Sequence, residues 1–378
     1  MVLKLLSSGS NAHGQLAHGT VDDVHTFTPC LFASPPPSDA AVIDIACGAN
    51  HTLLLLRSPV QLKSTVWVVG DGSHGQLGPI SAAITFEPLC LPIPLDTLEP
   101  VAIAASWESS YVVLRGPDCD ILLSFGSNVL GELGRGTETT QVMQPVDLSG
   151  ALNGGTFRIA ALSSGPRHVL CLVECGSGRD GQQCLIGWGA SRHGQLGTRE
   201  TVVPNPITVP NPFQEENSIV SVACGNQHTL LLSAVGTVHG LGSNRKGQLS
   251  DAISRVSGIQ EIACAWNTSF LVASDVIHGF GSGDHGQLGR EDDITTGQHT
   301  IALGRVAQAI AAGSEHALVL TQDRSIYGWG WNEHGNLGLN HTQDVFAPVV
   351  LPATRLSQAE GACTKIWGGC GTSWISIS

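Results

Sequence analysis

Seven copies of one short pattern, spread along the whole chain, limit what this sequence can become. A glycine anchors each copy: Gly14, Gly75, Gly131, Gly194, Gly247, Gly286 and Gly335. A second glycine stands five residues earlier, at Gly9, Gly70, Gly126, Gly189, Gly242, Gly281 and Gly330. A leucine stands two residues later, at Leu16, Leu77, Leu133, Leu196, Leu249, Leu288 and Leu337. Anchor-to-anchor steps run from 39 residues (Gly247 to Gly286) to 63 (Gly131 to Gly194). Units of this size bury their apolar faces only against neighbouring units.

A second pattern alternates with the first, again in seven copies. It reads IACGANHTLLLL from Ile45 and VACGNQHTLLL from Val222, and its last copy is IWGGCGTSWISI from Ile366. Short β-branched and aliphatic runs such as TLLLL and VWVV are bounded by Gly, Asn and Ser turns, which is strand grammar. Few windows keep a 3.6-residue apolar period, so helix is a minor component. Seven small antiparallel sheets in series predict an all-β, seven-bladed propeller, an architecture that leaves only short edges to protect. The chain opens on a strand that elsewhere follows a second motif, and ends on one that elsewhere precedes a first motif. Pairing Val2 to Ser7 with Ser373 to Ile377 closes the ring. Residues 1–378 then form one domain.

Composition agrees with this reading and excludes others. The 46 glycines are about one residue in eight, against a usual ~7%, as turns and tight blade packing require. A net charge of −13 argues against a nucleic-acid surface, which needs clustered Lys and Arg. No apolar run reaches the ~18 residues of a membrane span, and the apolar start is too short for a secretory signal. The glycosylation patterns at Asn267 and Asn340 therefore carry no weight. Of 11 cysteines, Cys47, Cys224 and Cys264 share a column with Ala105, Ser164, Ala312 and Gly368. A small-residue column predicts buried free thiols in a reducing compartment. Cys171 and Cys175 are spaced C-x3-C but have no matching second pair, so neither a bound metal nor a structural disulfide is expected.

Two stretches imitate a dinucleotide site. GDGSHG at Gly70 and GSGDHG at Gly281 match G-x-G-x-x-G, but both are copies of the repeat turn with no strand-to-helix context. Of the 15 histidines, nine fall into two columns. His13, His74, His193, His285 and His334 share one; His51, His168, His228 and His316 share another. A residue repeated around a ring is most simply a structural hydrogen-bonding group, with a tautomer set by bonds to the backbone. No H-E-x-x-H, G-x-S-x-G or P-loop occurs, and no cofactor or enzymatic activity is expected.

The columns also isolate residues that the repeat does not need. One position before the first glycine, Trp188 and Trp329 share a mostly apolar column with Ser8, Val69, Phe125, Leu241 and Phe280, so Trp329 belongs to the core. One position after it, the column reads Ser10, Asp71, Ser127, Ala190, Ser243, Ser282 and Trp331. Trp331 breaks that rule, with Glu333 on the same turn. In the second motif, Trp107 and Trp266 break the column Ala49, Pro166, Asn226, Ser314 and Cys370, and are followed by Glu108 and Asn267. These six residues, Trp107, Glu108, Trp266, Asn267, Trp331 and Glu333, are the candidate partner-binding set, since exposed tryptophan is a common interface anchor. The alternative is that these rings only plug the channel or cover a neighbouring blade.

On these residues the chain resembles the RCC1-like repeat family, seven-bladed propellers named for the regulator of chromosome condensation. The paired motifs GSN-x-x-GQLG and IACG-x-x-HT carry the resemblance over essentially the full length. Within the family, GWGWNEHGNLG (Gly328 to Gly338) and IWGGCGTSWISI, on a near-bare chain, look most like the fungal alpha-tubulin-suppressor or killer-toxin-insensitivity branch. That resemblance implies a non-enzymatic partner and regulator of a small CSL-type protein bearing zinc or iron, bound as a heterodimer. It further implies links to diphthamide synthesis and to Elongator-dependent modification of tRNA wobble uridines, and a cytoplasmic, also nuclear, location. The family's other implication is nucleotide exchange on a Ran-type small GTPase. That branch carries a basic N-terminal arm, which this acidic chain lacks.

Overall fold

Each second motif becomes an inner strand, a short loop and the strand beside it. In the second blade, Ala41–Cys47 pairs antiparallel with His51–Ser58, then Lys63–Asp71, then the outer strand Ala82–Pro88. The computed structural model describes residues 3–93, 97–137, 141–152, 155–176, 182–213, 218–290, 296–355 and 361–377. Among these, seven antiparallel sheets occur, and successive inner strands touch one another, which sets them around one axis. The fold is an all-β, seven-bladed propeller. No described helix is long and apolar enough to cross a membrane.

The shortest repeat step has a visible consequence. Six sheets have four strands and the fifth blade has three, ending at Val238–Gly242. The 39 residues from Gly247 to Gly286 leave no outer strand there. A 3-10 turn, Asp251–Arg255, takes its place and buries Ile253 among Leu232, Leu271 and Phe280. Ser250 caps the turn, its hydroxyl accepting from the Ala252 amide.

Ring closure follows the expected pairing with a slightly different extent. Lys4–Gly9 lies against Thr372–Ile377, in register from Lys4 opposite Ile377 to Gly9 opposite Thr372. The expected set began at Val2, which lies outside the described residues, and stopped two residues short of Gly9. Both strands are central in their sheet, flanked by Val24–Pro29 and Cys363–Gly368. The first blade is therefore built half from each end of the chain.

The glycine columns have two separate causes. The seven anchors all have φ between 72° and 84°, left-handed backbone that favours glycine, and five of them, all but Gly194 and Gly247, press on the next blade. A Cβ on Gly335 would lie 2.6 Å from His25 Cα. The earlier glycines sit under a carbonyl; a Cβ on Gly70 would lie 2.3 Å from the Asn50 oxygen. The residue after each of them donates its amide N–H to that same carbonyl position in all seven blades. Asp71 donates to Asn50, Ser127 to Glu108, Ala190 to Arg167, Ser243 to Gln227, Ser282 to Asn267, Trp331 to Glu315 and Ser10 to Gly371, at 2.7 to 2.9 Å.

The buried histidine column fastens blade to blade. Nε2 of His51 is 2.9 Å from Ser110 Oγ, that of His168 3.1 Å from Thr229 Oγ1, that of His228 3.1 Å from Ser269 Oγ, and that of His316 3.0 Å from Ser373 Oγ. Ser110, Thr229 and Ser269 donate their own hydrogens to the carbonyls of Gln76, Gln195 and Gln248. Their oxygens therefore accept from the imidazole, which fixes the Nε2–H tautomer in those three blades. The partners are hydroxyls of the next blade, where the sequence had suggested backbone. Where the next blade offers Val169 or Ala317 instead of a hydroxyl, the histidine is replaced too, by Ser109 and Thr268. Burial pushes His51, His228 and His316 down to about 4, and His168 to about 3.

Trp329 is core, as its column predicts. It is fully buried, meets Phe270 edge-on at 6.2 Å, and donates Nε1–H to the Gln287 carbonyl at 2.8 Å. Trp329→Ala removes this ring and orphans a buried carbonyl. It is expected to lower unfolding stability by about 3–5 kcal/mol, read as a shift in the urea midpoint. An unchanged midpoint would remove Trp329 from the core.

Candidate partner-binding face

The register places both motifs' turns at one end of the ring. In the second blade His51 stands opposite Gly70, so the loop entering one strand and the turn leaving the other are neighbours. All six sequence-selected residues, Trp107, Glu108, Trp266, Asn267, Trp331 and Glu333, lie on this loop face. Their surroundings divide them into two groups.

Trp107 and Trp266 meet each other at the mouth of the central channel. Both are half-buried, with ring centroids 5.8 Å apart and planes 41° off parallel. The main chains of their loops are knitted together. Ala49 N donates to Trp107 O and Trp107 N to Pro166 O, both at 2.9 Å; Asn226 N donates to Trp266 O at 3.0 Å and Trp266 N to Ser314 O at 2.8 Å. Beneath the indoles lies a cavity of about 120 Å³ walled by small residues, among them Cys47, Ser164, Cys224 and Cys264. These three thiols are half-buried, where their column had suggested full burial. The column faces the axis, where seven strands converge and only small side chains fit. Removal from water raises Cys47 to about 12 and Cys224 to about 11.

Trp331 has a different setting. Its indole is half-buried, with His334 edge-on at 5.2 Å and His285 at 6.5 Å. Nε1–H reaches Glu333 Oε2 at 3.3 Å. The ring lies over Gly371, where a Cβ would come within 3.3 Å of Trp331 Cζ3. Gly371 is itself an exception, since its column otherwise holds Asn50, Glu108, Arg167, Gln227, Asn267 and Glu315. One oversized and one undersized residue thus occupy adjacent positions across the join between the last and first blades. The fold tolerates Trp331 because the hydrogen bond at that position comes from the main chain.

Carboxylates and histidines surround this indole. Asp344 accepts from His285 Nδ1 at 2.9 Å through one oxygen and from the Asn332 amide at 2.9 Å through the other. Asp23 repeats the arrangement one blade on, with His334 Nδ1 at 2.7 Å and the Asn11 amide at 2.8 Å. Glu315 lies 3.5 Å from His285 Nε2. Burial works to lower His285, but the bond to Asp344 and the Glu315 charge outweigh it, so the net shift is upward. Burial holds Glu315 above the usual carboxylate range, against the pull of His285. Glu108 stands apart from this group, 4.0 Å from His74 and 3.8 Å from Arg167, whose guanidinium also holds the buried Glu132 at 2.9 Å. Asn267 contributes the carbonyl that receives Ser282 N.

The sequence missed His285, His334, Asp23, Asp344 and Gly371. Gly371 was findable as a column outlier. The two aspartates were findable because each precedes an outer strand directly.

Comparison with known proteins supports the architecture. A family model described as an RCC1-like domain matches residues 4–375. An RCC1 repeat-containing protein of Schizosaccharomyces pombe is 30% identical over 390 residues, covering 99% of this chain and 98% of its own length. The ultraviolet-B receptor of Arabidopsis thaliana is 28% identical, covering 98% of this chain and 83% of its own. Among solved structures, human WBSCR16 superposes with a TM-score of 0.81 at 17% identity, covering 100% and 99% of the two chains. Prp20p of Saccharomyces cerevisiae, studied for its binding to Gsp1p and histones, gives 0.80 at 18% identity, covering 100% and 92%. At those identities the solved structures speak to the fold alone.

Proposed function

The chain belongs to the RCC1-like family of seven-bladed propellers, and from the loop face of that scaffold we propose that it is a non-enzymatic binding module for a protein partner. The partner is a small CSL-type zinc protein, as in the fungal branch that the C-terminal repeat resembles. The pair then acts in the cytoplasm in support of diphthamide synthesis and Elongator-dependent modification of tRNA wobble uridines. One observation carries the reading. Trp331 presents a half-exposed indole ringed by ionisable groups, at a position where six sister turns show that the fold needs no large side chain. Trp107 and Trp266, stacked at the channel mouth, fill the centre of the same face, and Glu108, Asn267 and Glu333 lie beside the three indoles.

Trp331→Ala is expected to keep the fold, because the amide-to-Glu315 hydrogen bond survives truncation. Loss of an anchoring tryptophan typically weakens a complex by at least ~2 kcal/mol, about thirtyfold in affinity. Titration calorimetry of the wild-type and variant chains against the zinc-loaded partner reads this directly. A folded variant that binds unchanged places the interface elsewhere. A wild-type chain that ignores the zinc protein but speeds nucleotide release from a Ran-type GTPase makes exchange the correct function.

A further inference from the structure

The fourth blade holds two cysteines that the loop face does not use. Cys175 ends the strand His168–Cys175, and Cys184 lies in the adjoining strand Gln182–Ala190. The register sets Cys175 opposite Gln182 and Cys184 opposite Val173. The cysteines are diagonal neighbours, two positions apart, and so on one side of the sheet. Their sulfurs are 3.8 Å apart. All eleven cysteines are free, and no other two sulfurs make such a contact among the described residues. Both side chains are half-buried, resting on the apolar cluster that contains Leu148, Leu152 and Val173. They lie towards the end of the ring opposite the loop face, since the same two strands reach that face at His168 and Gly189.

We propose that Cys175 and Cys184 are an oxidation site, a dithiol that a small-molecule disulfide such as glutathione disulfide converts into a cross-strand disulfide. The Cys184 thiolate attacks one sulfur of glutathione disulfide, forms a mixed disulfide and releases one glutathione thiolate. Cys175, deprotonated to solvent, then attacks Cys184 Sγ, closes the bond and releases the second glutathione. Two protein thiols are oxidised and one glutathione disulfide is reduced to two thiols. An S–S bond is about 2 Å long, so the sulfurs have to close by a little under 2 Å, and because diagonal cross-strand positions stand wider apart than a disulfide's Cβ atoms, the two strands shift locally as the bond forms. Burial and the hydrogen bond with Cys184 push the Cys175 thiol up to about 11. Cys175 therefore suits the second, intramolecular step, where proximity offsets a scarce thiolate.

The test is peptide mapping by mass spectrometry of the full chain after incubation with glutathione disulfide, with free thiols blocked by alkylation. The expected product lacks two alkylatable thiols of the eleven, carries a Cys175–Cys184 cross-link, returns to the starting form with dithiothreitol and melts at a higher temperature. Cys90→Ser, which removes an exposed thiol, should leave the reaction unchanged. Cys184→Ser should abolish the cross-link. A folded wild-type chain that keeps all its thiols overturns the proposal. So does a stable glutathione adduct on either cysteine without closure, or a two-thiol loss that persists in Cys184→Ser.

Discussion

A chain that stops at Thr372, lacking the last six residues, is expected to lose the native ring. Thr372–Ile377 is an inner member of its sheet, bonded to Lys4–Gly9 on one side and to Cys363–Gly368 on the other. Deletion bares two strand edges at once and removes Trp374, Ile375 and Ile377, all buried. It also strips His316 of its hydroxyl partner on Ser373. Truncating a buried Trp to Ala typically costs about 3–5 kcal/mol and an Ile about 2–5. The three together rival the about 5–15 kcal/mol by which a domain is stable at all. Exposed edges recruit other chains, so aggregation on size-exclusion chromatography and loss of the cooperative melt are expected together. A truncated monomer that melts like the intact chain would refute closure by these strands.

The second large effect is a response to mild acid. His51, His168, His228 and His316 are neutral in the fold, each held well below the ordinary 6.5 by burial. A group whose folded pKa is depressed contributes stability that is present above the unfolded pKa and is lost as pH falls from there through the folded one. The window thus runs from about 6.5 down to about 4. At pH 5.5 the unfolded chain gains about 1.4 kcal/mol per histidine by protonation, or about 5–6 for the four. Asp44 works in the opposite direction. Burial raises its carboxyl to about 6, so the folded chain takes up a proton first, which offsets about 1 kcal/mol at pH 5.5. His285, raised and half-exposed, also favours the acid side, by a smaller amount after solvent screening. The histidines outweigh both. Urea unfolding should therefore show a net loss of several kcal/mol between pH 7.5 and 5.5. His228→Gln should flatten that slope by about one proton. A stability that stays level across the window would mean that the histidines are not held neutral.

Much of this molecule could be read before its structure, because seven copies average out accident. The glycine columns predicted turns and tight packing, and the structure adds the causes, left-handed backbone in one column and an overlying carbonyl in the other. Trp329 was placed in the core by its apolar column. The closing strands were identifiable as two halves of one hairpin. Even the missing outer strand of the fifth blade was implicit in the shortest step, although its replacement by a 3-10 turn was not. What stayed hidden were contacts between different copies. Trp107 and Trp266 are outliers of one column in the third and sixth blades. That they touch depends on how seven loops converge on an axis, which no column records. The Trp331–Gly371 pairing escaped for a related reason: each was an exception in a different column, and only the packing of the seventh blade against the first brings the two together. The histidine partners needed the same cross-copy comparison, between each His and the hydroxyl one repeat later.

The amide that follows each strand-ending glycine has a further consequence for how such a molecule can change. Because that hydrogen bond is made by main chain in every blade, the side chains of Ser10, Asp71, Ser127, Ala190, Ser243, Ser282 and Trp331 have no part in it. Any residue with an N–H can stand there, and proline alone removes the donor. The loop face thus offers four part-exposed positions of this column, Ser10, Asp71, Ala190 and Trp331, that can be rewritten one blade at a time, while Ser127, Ser243 and Ser282 are buried. Recognition could be moved around the ring by single substitutions, as long as the neighbouring column leaves room, as Gly371 does for Trp331.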